Sequence, residues 1–133
     1  MYNYSKALCE KNAASEGVAS RCVFQHGDAK QLDFPDESFD VVLSNYVYHN
    51  VMGADMQKLL LESLRVLKKG GVFALNDDMK QKIYGDMEGF AQKLRDMGYE
   101  EVRLVDTAQE AFGSHRWAAM MMLGSSRLLV GRK

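Results

Sequence analysis

Gly27-Asp28-Ala29, Ser44 to His49 and Asn76-Asp77-Asp78 are three sets of polar and aromatic residues, each following a short apolar run. A carboxylate such as Asp28 can accept a hydrogen bond from an exocyclic amine while the neighbouring Ala29 N–H donates to a ring nitrogen. Gly27 lets the backbone come close to a flat ring. By residue type alone, Asp28 is equally well read as a turn former or helix cap. Tyr48 and His49 offer a hydroxyl and an imidazole, the second a common general base at neutral pH. Packing of this aromatic pair over a helix start explains them just as well. Asp77 and Asp78 read as substrate contacts, or as capping and solvated side chains. His26 reads as a core or edge histidine, and the sequence identifies no partner for His115. Cys9 and Cys22 fit no metal or redox spacing and read as small apolar residues, so no metal site is expected.

The elements that must position these groups follow from caps, breakers and periodicity. Ser5 caps a predicted helix running to Glu16, and Gly17 ends it. A strand is expected from Arg21 to Gln25, then a loop around Pro35, the only proline. "FDVVLSN" is a continuous apolar run of the kind found in strands buried on both faces. Asp55 caps a helix with Met56, Leu59, Leu60, Leu64 and Leu67 on one side. Lys68 and Lys69 suit the C-terminal dipole of that helix, and Gly70 its left-handed end. "GVFALND" is the next strand, Asp86 caps a helix ending at Gly98, and "EVRLVD" and "SRLLVGRK" are strands. The segment 107–126 reads either as a short helix capped by Ser114 or as an irregular excursion. This order predicts a largely parallel sheet covered by helices, with ligands bound at the carboxyl ends of its strands.

Composition narrows the function classes. The chain has 133 residues, enough for one domain with one modest core. A net charge of −1, from 17 basic and 18 acidic residues, provides no electrostatic footprint for nucleic acid or anionic lipid. The opening "MYNYSKALCE" lacks the basic and apolar regions of a secretory signal, and the longest apolar run, "AAMMML", is far short of a membrane span. The expectation is a reduced, cytoplasmic protein.

Read as an ordered ensemble, these pieces resemble a known family. "FQHGDAKQLDFPDESFDVVLSNYVYHNV", then "LLLESLRVLKKGGVFALND" and "FAQKLRDMGYEEVRLVD", look like the middle and later parts of a class I S-adenosylmethionine-dependent methyltransferase. The likeness spans most of residues 1–106. It implies a Rossmann-like three-layer α/β sandwich with a mostly parallel sheet, and methyl transfer from S-adenosylmethionine to a small-molecule acceptor. Carried over by position, Gly27, Asp28 and Ala29 fall at the adenine, and Ser44, Asn45 and Tyr46 at the methionine part of the cofactor. Tyr48 and His49 fall near the acceptor, with His49 the first candidate for a general base. Trp117 and Met120 to Met122 lie where such enzymes vary around the acceptor; a helix packed on the sheet is the plainer reading of that segment.

The resemblance also implies what is missing. The family fold opens with a strand, a Gly-rich turn and a second strand with an acidic end, and this sequence contains no Gly-x-Gly. The reading is therefore a single partial domain over 1–133, lacking the first two strands of the family fold. Such a domain leaves the "VVLS" strand with an unpaired edge, through which self-association into a homo-oligomer is expected. The alternative is a non-catalytic α/β interaction module or fragment that has lost cofactor binding. A nicotinamide dehydrogenase would need a Gly-rich phosphate turn that is equally absent.

Overall fold

The computed structural model describes residues 5–133; Met1 to Tyr4, part of the stretch read above for a signal sequence, lie outside the described residues. Ten elements follow in chain order: α1 (Lys6–Ser15), β1 (Phe39–Asn45), α2 (Met56–Arg65), β2 (Leu67–Asp78), α3 (Gln81–Tyr84), α4 (Met87–Asp96), β3 (Glu100–Val105), α5 (Thr107–Phe112), α6 (His115–Met120) and β4 (Ser126–Arg132). No helix among the described residues is long and apolar enough to cross a membrane.

The helix starts are where the cap residues put them. Ser5 accepts from the Leu8 N–H, Asp55 from Lys58, Asp86 from Gly89 and Ser114 from Arg116. Each side chain satisfies an N–H that has no carbonyl partner in the first turn. The segment left open between 107 and 126 is two short helices, α5 capped by Asp106 and α6 by Ser114.

The sheet order is β1-β2-β4-β3. β1 and β2 are parallel, and β4 runs antiparallel to both β2 and β3, so β1, β2 and β3 share one direction. This is an open, incomplete Rossmann-like sheet. α2 and α4 supply the core with Leu59, Leu60, Leu64, Phe90, Ala91 and Leu94, against Phe73 and Leu75 of β2, Val102 of β3 and Leu129 of β4. The spacing of the helical set is that of one helix face, and Phe73 and Leu75 alternate as strand residues on one sheet face must. Fully burying a leucine is worth about 2 kcal/mol, so this cluster is the main source of stability.

Three local expectations are corrected. Arg21 to Gln25 do not form a strand: Ala19–Arg21 is a 3-10 turn and residues 22–27 are irregular, with Val23 89% exposed. A strand needs a neighbour for its N–H and C=O groups, and this segment pairs with none among the described residues. The β1 run is half-buried on one face only, through Val42 and Ser44, leaving Val41 49% and Leu43 72% exposed. Finally, α2 stops at Arg65, and Leu67, Lys68, Lys69 and Gly70 belong to β2, where Leu67 pairs with Phe39. The cation at the C-terminus of α2 is instead Lys133, whose Nζ donates to the carbonyls of Leu64 at 2.9 Å and Leu67 at 2.7 Å.

Candidate functional site

Parallel pairing with Asn45 opposite Asn76 brings the carboxyl ends of β1 and β2 side by side. Beyond β1 the Tyr46 N–H still donates to the Asn76 carbonyl at 2.9 Å. Tyr46 then takes a left-handed φ of 54°, turning the chain into the 3-10 segment Tyr48–Asn50. Backbone strain of this kind is uncommon for a bulky residue and is held here by its surroundings.

Asp77 organises the turn. It continues the inward alternation of Phe73 and Leu75, so its side chain is 0% exposed. One carboxylate oxygen accepts from the N–H of Tyr48 at 2.8 Å and of His49 at 3.3 Å. The other accepts from the Asp78 N–H at 2.7 Å and is bonded to His49 Nδ1. Four donors fill the lone pairs of a carboxylate, which is how a buried charge is tolerated. The bond places the proton of a neutral imidazole on Nδ1 and leaves Nε2 as the nitrogen able to accept one. His49 is 29% exposed at the side chain, and the Tyr46 ring meets it edge to face at 6.0 Å.

Tyr48, expected near the acceptor, is buried, with its hydroxyl 2.7 Å from Ser63 on α2. The Tyr84 hydroxyl lies beside Asp77 but has no partner in hydrogen-bonding geometry among the described residues. Burial first, then the neighbouring negative charge of Asp77, pushes the Tyr84 phenol well above the usual tyrosine range.

Asn45 and Tyr46 join a second network. The Tyr46 hydroxyl donates to Ser126 Oγ, which lies 2.7 Å from Thr107 Oγ1. Asn76 Nδ2 donates to Asn45 Oδ1 at 2.8 Å, and a longer contact of 3.5 Å joins Thr107 to Asn76. Thus β1, β2, α5 and β4 meet at one end of the sheet. Ser44 Oγ is buried there with no partner among the described residues.

Gly27, Asp28 and Ala29 lie in the irregular stretch before β1. Asp28 is exposed; one oxygen accepts from the Lys30 N–H at 2.8 Å, and its carbonyl accepts from Gln31. The turn-forming role anticipated for Asp28 is therefore in place, while its second oxygen has no hydrogen-bond partner among the described residues. Ala29 packs against the core. These residues fit part of a nucleoside cofactor: a free carboxylate oxygen next to a core-anchored backbone for the base, and an orphaned Ser44 hydroxyl beside the strand ends.

The remaining residues singled out in the sequence divide cleanly. Asp78 pairs with Lys80 at 2.6 Å, and His115 bridges the Asp106 carboxylate and the Gly124 carbonyl, each at 3.2 Å. Trp117 and Met120 to Met122 are exposed. A cleft of about 440 Å³, lined in part by Met79, Lys80, His115 and Arg127, opens next to these groups and contains none of the expected site residues. Among the described residues no cluster of His, Cys, Asp or Glu is placed to hold a metal ion. Sequence reasoning missed the role of Asp77, although its two-residue spacing from Phe73 and Leu75 marks it as inward. Ser63, Tyr84, Thr107 and Ser126 carried no local signal.

A sequence profile for a methyltransferase domain matches residues 2–75. The chain is 34% identical over 88 residues to 27-O-demethylrifamycin SV methyltransferase of Amycolatopsis mediterranei (strain S699), covering 66% of this chain and 32% of that protein. It spans less than half the length of the curated relatives it matches. Among solved structures, a geranyl diphosphate methyltransferase in complex with SAM superposes with a TM-score of 0.66 at 14% identity, over 96% of this chain and 65% of that one. The cyclase SpnF superposes with a TM-score of 0.61 at 20% identity, over 96% and 61%. At these identities the superpositions speak for the fold, and a cyclase among them shows that the fold alone does not fix the reaction. The profile match covers more than half of the chain, and the chain belongs to the methyltransferase-domain family, of the class I S-adenosylmethionine-dependent type.

Proposed function

We propose that this chain binds S-adenosylmethionine and takes part in methyl transfer to a small-molecule acceptor whose reacting atom carries a proton, as a hydroxyl does. The His49–Asp77 pair, at the carboxyl ends of two parallel strands, is the observation that supports this reading. Asp77 holds the imidazole ring in place and His49 Nε2 takes the proton from the acceptor. Bound S-adenosylmethionine supplies a methyl group already activated on a sulfonium, so the protein has chiefly to align and to exclude water. In this reading Asp28 accepts from the adenine amine, the Ala29 backbone meets the ring, and Gly27 keeps the approach open. Ser44, Asn45 and Tyr46 border the methionine part, and Tyr48 braces the turn that carries His49. The rifamycin relative is named for an oxygen acceptor, which agrees with a base-assisted transfer. A reducing, cytoplasmic setting suits Cys9 and Cys22, which are free thiols.

A second reading is a non-catalytic module that kept the scaffold. Asp28 favours it, because one carboxylate oxygen is already bonded within its own turn. Calorimetric titration with S-adenosylhomocysteine, repeated on Asp28→Ala, separates the two. Binding that the substitution abolishes supports the methyltransferase reading. A folded protein that gives no heat supports the module.

A further inference from the structure

On β1, Val42 pairs with Phe73 and Ser44 with Leu75, so the even-numbered side chains share the sheet face that carries the core. One more extended residue would put the Tyr46 side chain on that face, beside Asp77. The Tyr46 hydroxyl instead donates to Ser126 Oγ, and Ser126 pairs with Asp78, whose side chain alternates to the face opposite Asp77. The left-handed φ of 54° at Tyr46 thus carries its ring across the end of β2 from one face of the sheet to the other. Beyond Ser126 the hydrogen bonds continue. Ser126 Oγ lies 2.7 Å from Thr107 Oγ1, which donates to Asn76 Oδ1 at 3.5 Å, and Asn76 Nδ2 donates to Asn45 Oδ1 at 2.8 Å. With Ser126 donating to Thr107, each member gives a proton to the next, an arrangement in which the bonds strengthen one another. Ser126 is 5% exposed, so a Tyr46 hydroxyl that let go would leave a buried group short of a partner.

We propose that Tyr46 is a positioning residue for His49, and that Ser126 on β4 and Thr107 on α5 hold it in that role; this rests on the reading of His49 as the base. Asp77 grips the imidazole at Nδ1, but a bond at one ring atom leaves the ring free to turn about that bond. The Tyr46 ring stands edge to face against the imidazole, with 6.0 Å between centroids and 79° between planes, and removes that freedom. The direction of Nε2 is then fixed from two sides, by a carboxylate on β2 and by an aromatic ring anchored on β4 and α5. Strain at a bulky left-handed residue persists only where its surroundings over-determine it, and here the hydroxyl chain and the Tyr46 N–H bond to Asn76 do so. His49 is in this way sensitive to the placement of the start of α5, an element it does not itself bond.

The Hδ2 and Hε1 proton resonances of His49, recorded by NMR on the full chain, read this placement, because an aromatic ring shifts the protons that lie against it. Tyr46→Asn, a residue that suits a left-handed φ, takes the ring away and marks where those signals fall without it. Tyr46→Phe keeps the ring and cuts the hydroxyl bond, and Ser126→Ala and Thr107→Val cut the chain from β4 and α5 without touching His49. The expected result is that Tyr46→Phe and Ser126→Ala each move the His49 signals toward their Tyr46→Asn positions. The double variant moves them no further than either alone, since both substitutions remove the same bond. Thr107→Val shifts them in the same direction and supplies the comparison where Ser126→Ala does not fold, which circular dichroism reports. A chain that only ties the sheet end together would lower the thermal midpoint in these variants and leave the His49 signals at their wild-type positions, and that result overturns the proposal. So does a Tyr46→Asn spectrum in which the His49 signals are unchanged. No cofactor or acceptor enters the measurement, so its failure is distinct from failure of the methyltransferase reading, which the titration with S-adenosylhomocysteine reports.

Discussion

The Asp77 carboxylate binds both the His49 ring, through Nδ1, and the His49 main-chain N–H, so one buried side chain on β2 sets the position and the tautomer of an imidazole reached only after β1. His49 is thereby a pre-positioned group rather than a side chain on a free loop.

His49→Ala should lower turnover on the order of 10²-fold or more while leaving affinity for S-adenosylhomocysteine nearly unchanged. Asp77→Asn should lower turnover with His49 still present, since an amide cannot satisfy four donors, and should cost about 3 kcal/mol of stability. Steady-state kinetics beside urea unfolding reads both effects. Equal losses of turnover and affinity in His49→Ala would assign the histidine to packing.

Tyr48 and Tyr84 should respond oppositely to loss of the hydroxyl. Tyr48→Phe removes the bond to Ser63 and should cost about 1 kcal/mol. Tyr84→Phe removes a buried hydroxyl without a partner and should be neutral or stabilising. Because the folded-state phenol of Tyr84 is raised, its contribution is present below the ordinary tyrosine value of 10.0 and is lost as pH rises above it. Thermal melts from neutral to alkaline pH should therefore show a weaker alkaline decline in Tyr84→Phe; an unchanged decline would place the titrating group elsewhere.

Arg65 and Glu62 clamp the loop that leads into β1. Arg65 donates to the carbonyls of Leu32 at 3.0 Å and Phe34 at 2.9 Å and to Asp36 at 2.7 Å, and Glu62 accepts from the Leu32 N–H at 2.7 Å. Hydrogen bonding from Arg65 holds the Glu62 carboxyl below its usual value of 4.5. A depressed carboxyl stabilises above that value and stops doing so as pH falls through its lowered folded-state value. Hydrogen exchange at the Leu32 amide should accordingly lose protection on acidification, and Glu62→Gln should remove the pH dependence. Protection that is flat with pH in the wild-type chain would refute the clamp.

Lys133→Met should lower stability by about 1 kcal/mol, because it keeps the aliphatic stem and removes the ammonium that bonds the Leu64 and Arg65 carbonyls at the end of α2 and the Leu67 carbonyl at the start of β2. Chemical denaturation reads the difference directly, and a midpoint equal to wild type would show that water replaces the ammonium without cost.

The helix caps were legible because a cap is a local event: Ser5, Asp55, Asp86 and Ser114 each bond an N–H two or three residues away. The end of α2 was not, because Lys133 acts from 66 to 69 residues downstream. Arg21 to Gln25 have strand-like residue types, yet strand formation depends on a neighbour that residue types cannot supply. His49 could be named from its place at a strand end, whereas Asp77 required knowing which face of β2 meets the core. The likeness to the methyltransferases rests on chain order across most of residues 1–106, of which the family profile covers 2–75.

The strand order carries a consequence for synthesis. β4 comes last of the four in the chain yet lies between β2 and β3. While it remains inside the ribosome, β1 and β2 can pair, but β3 has no strand to join and the Leu129 side of the core stays open. The sheet therefore assembles only after residues up to about Arg132 have emerged, in a late step rich in long-range contacts. For most of its translation the nascent chain carries an unfinished apolar surface, and it is in that interval that holdase chaperones would matter most to its yield.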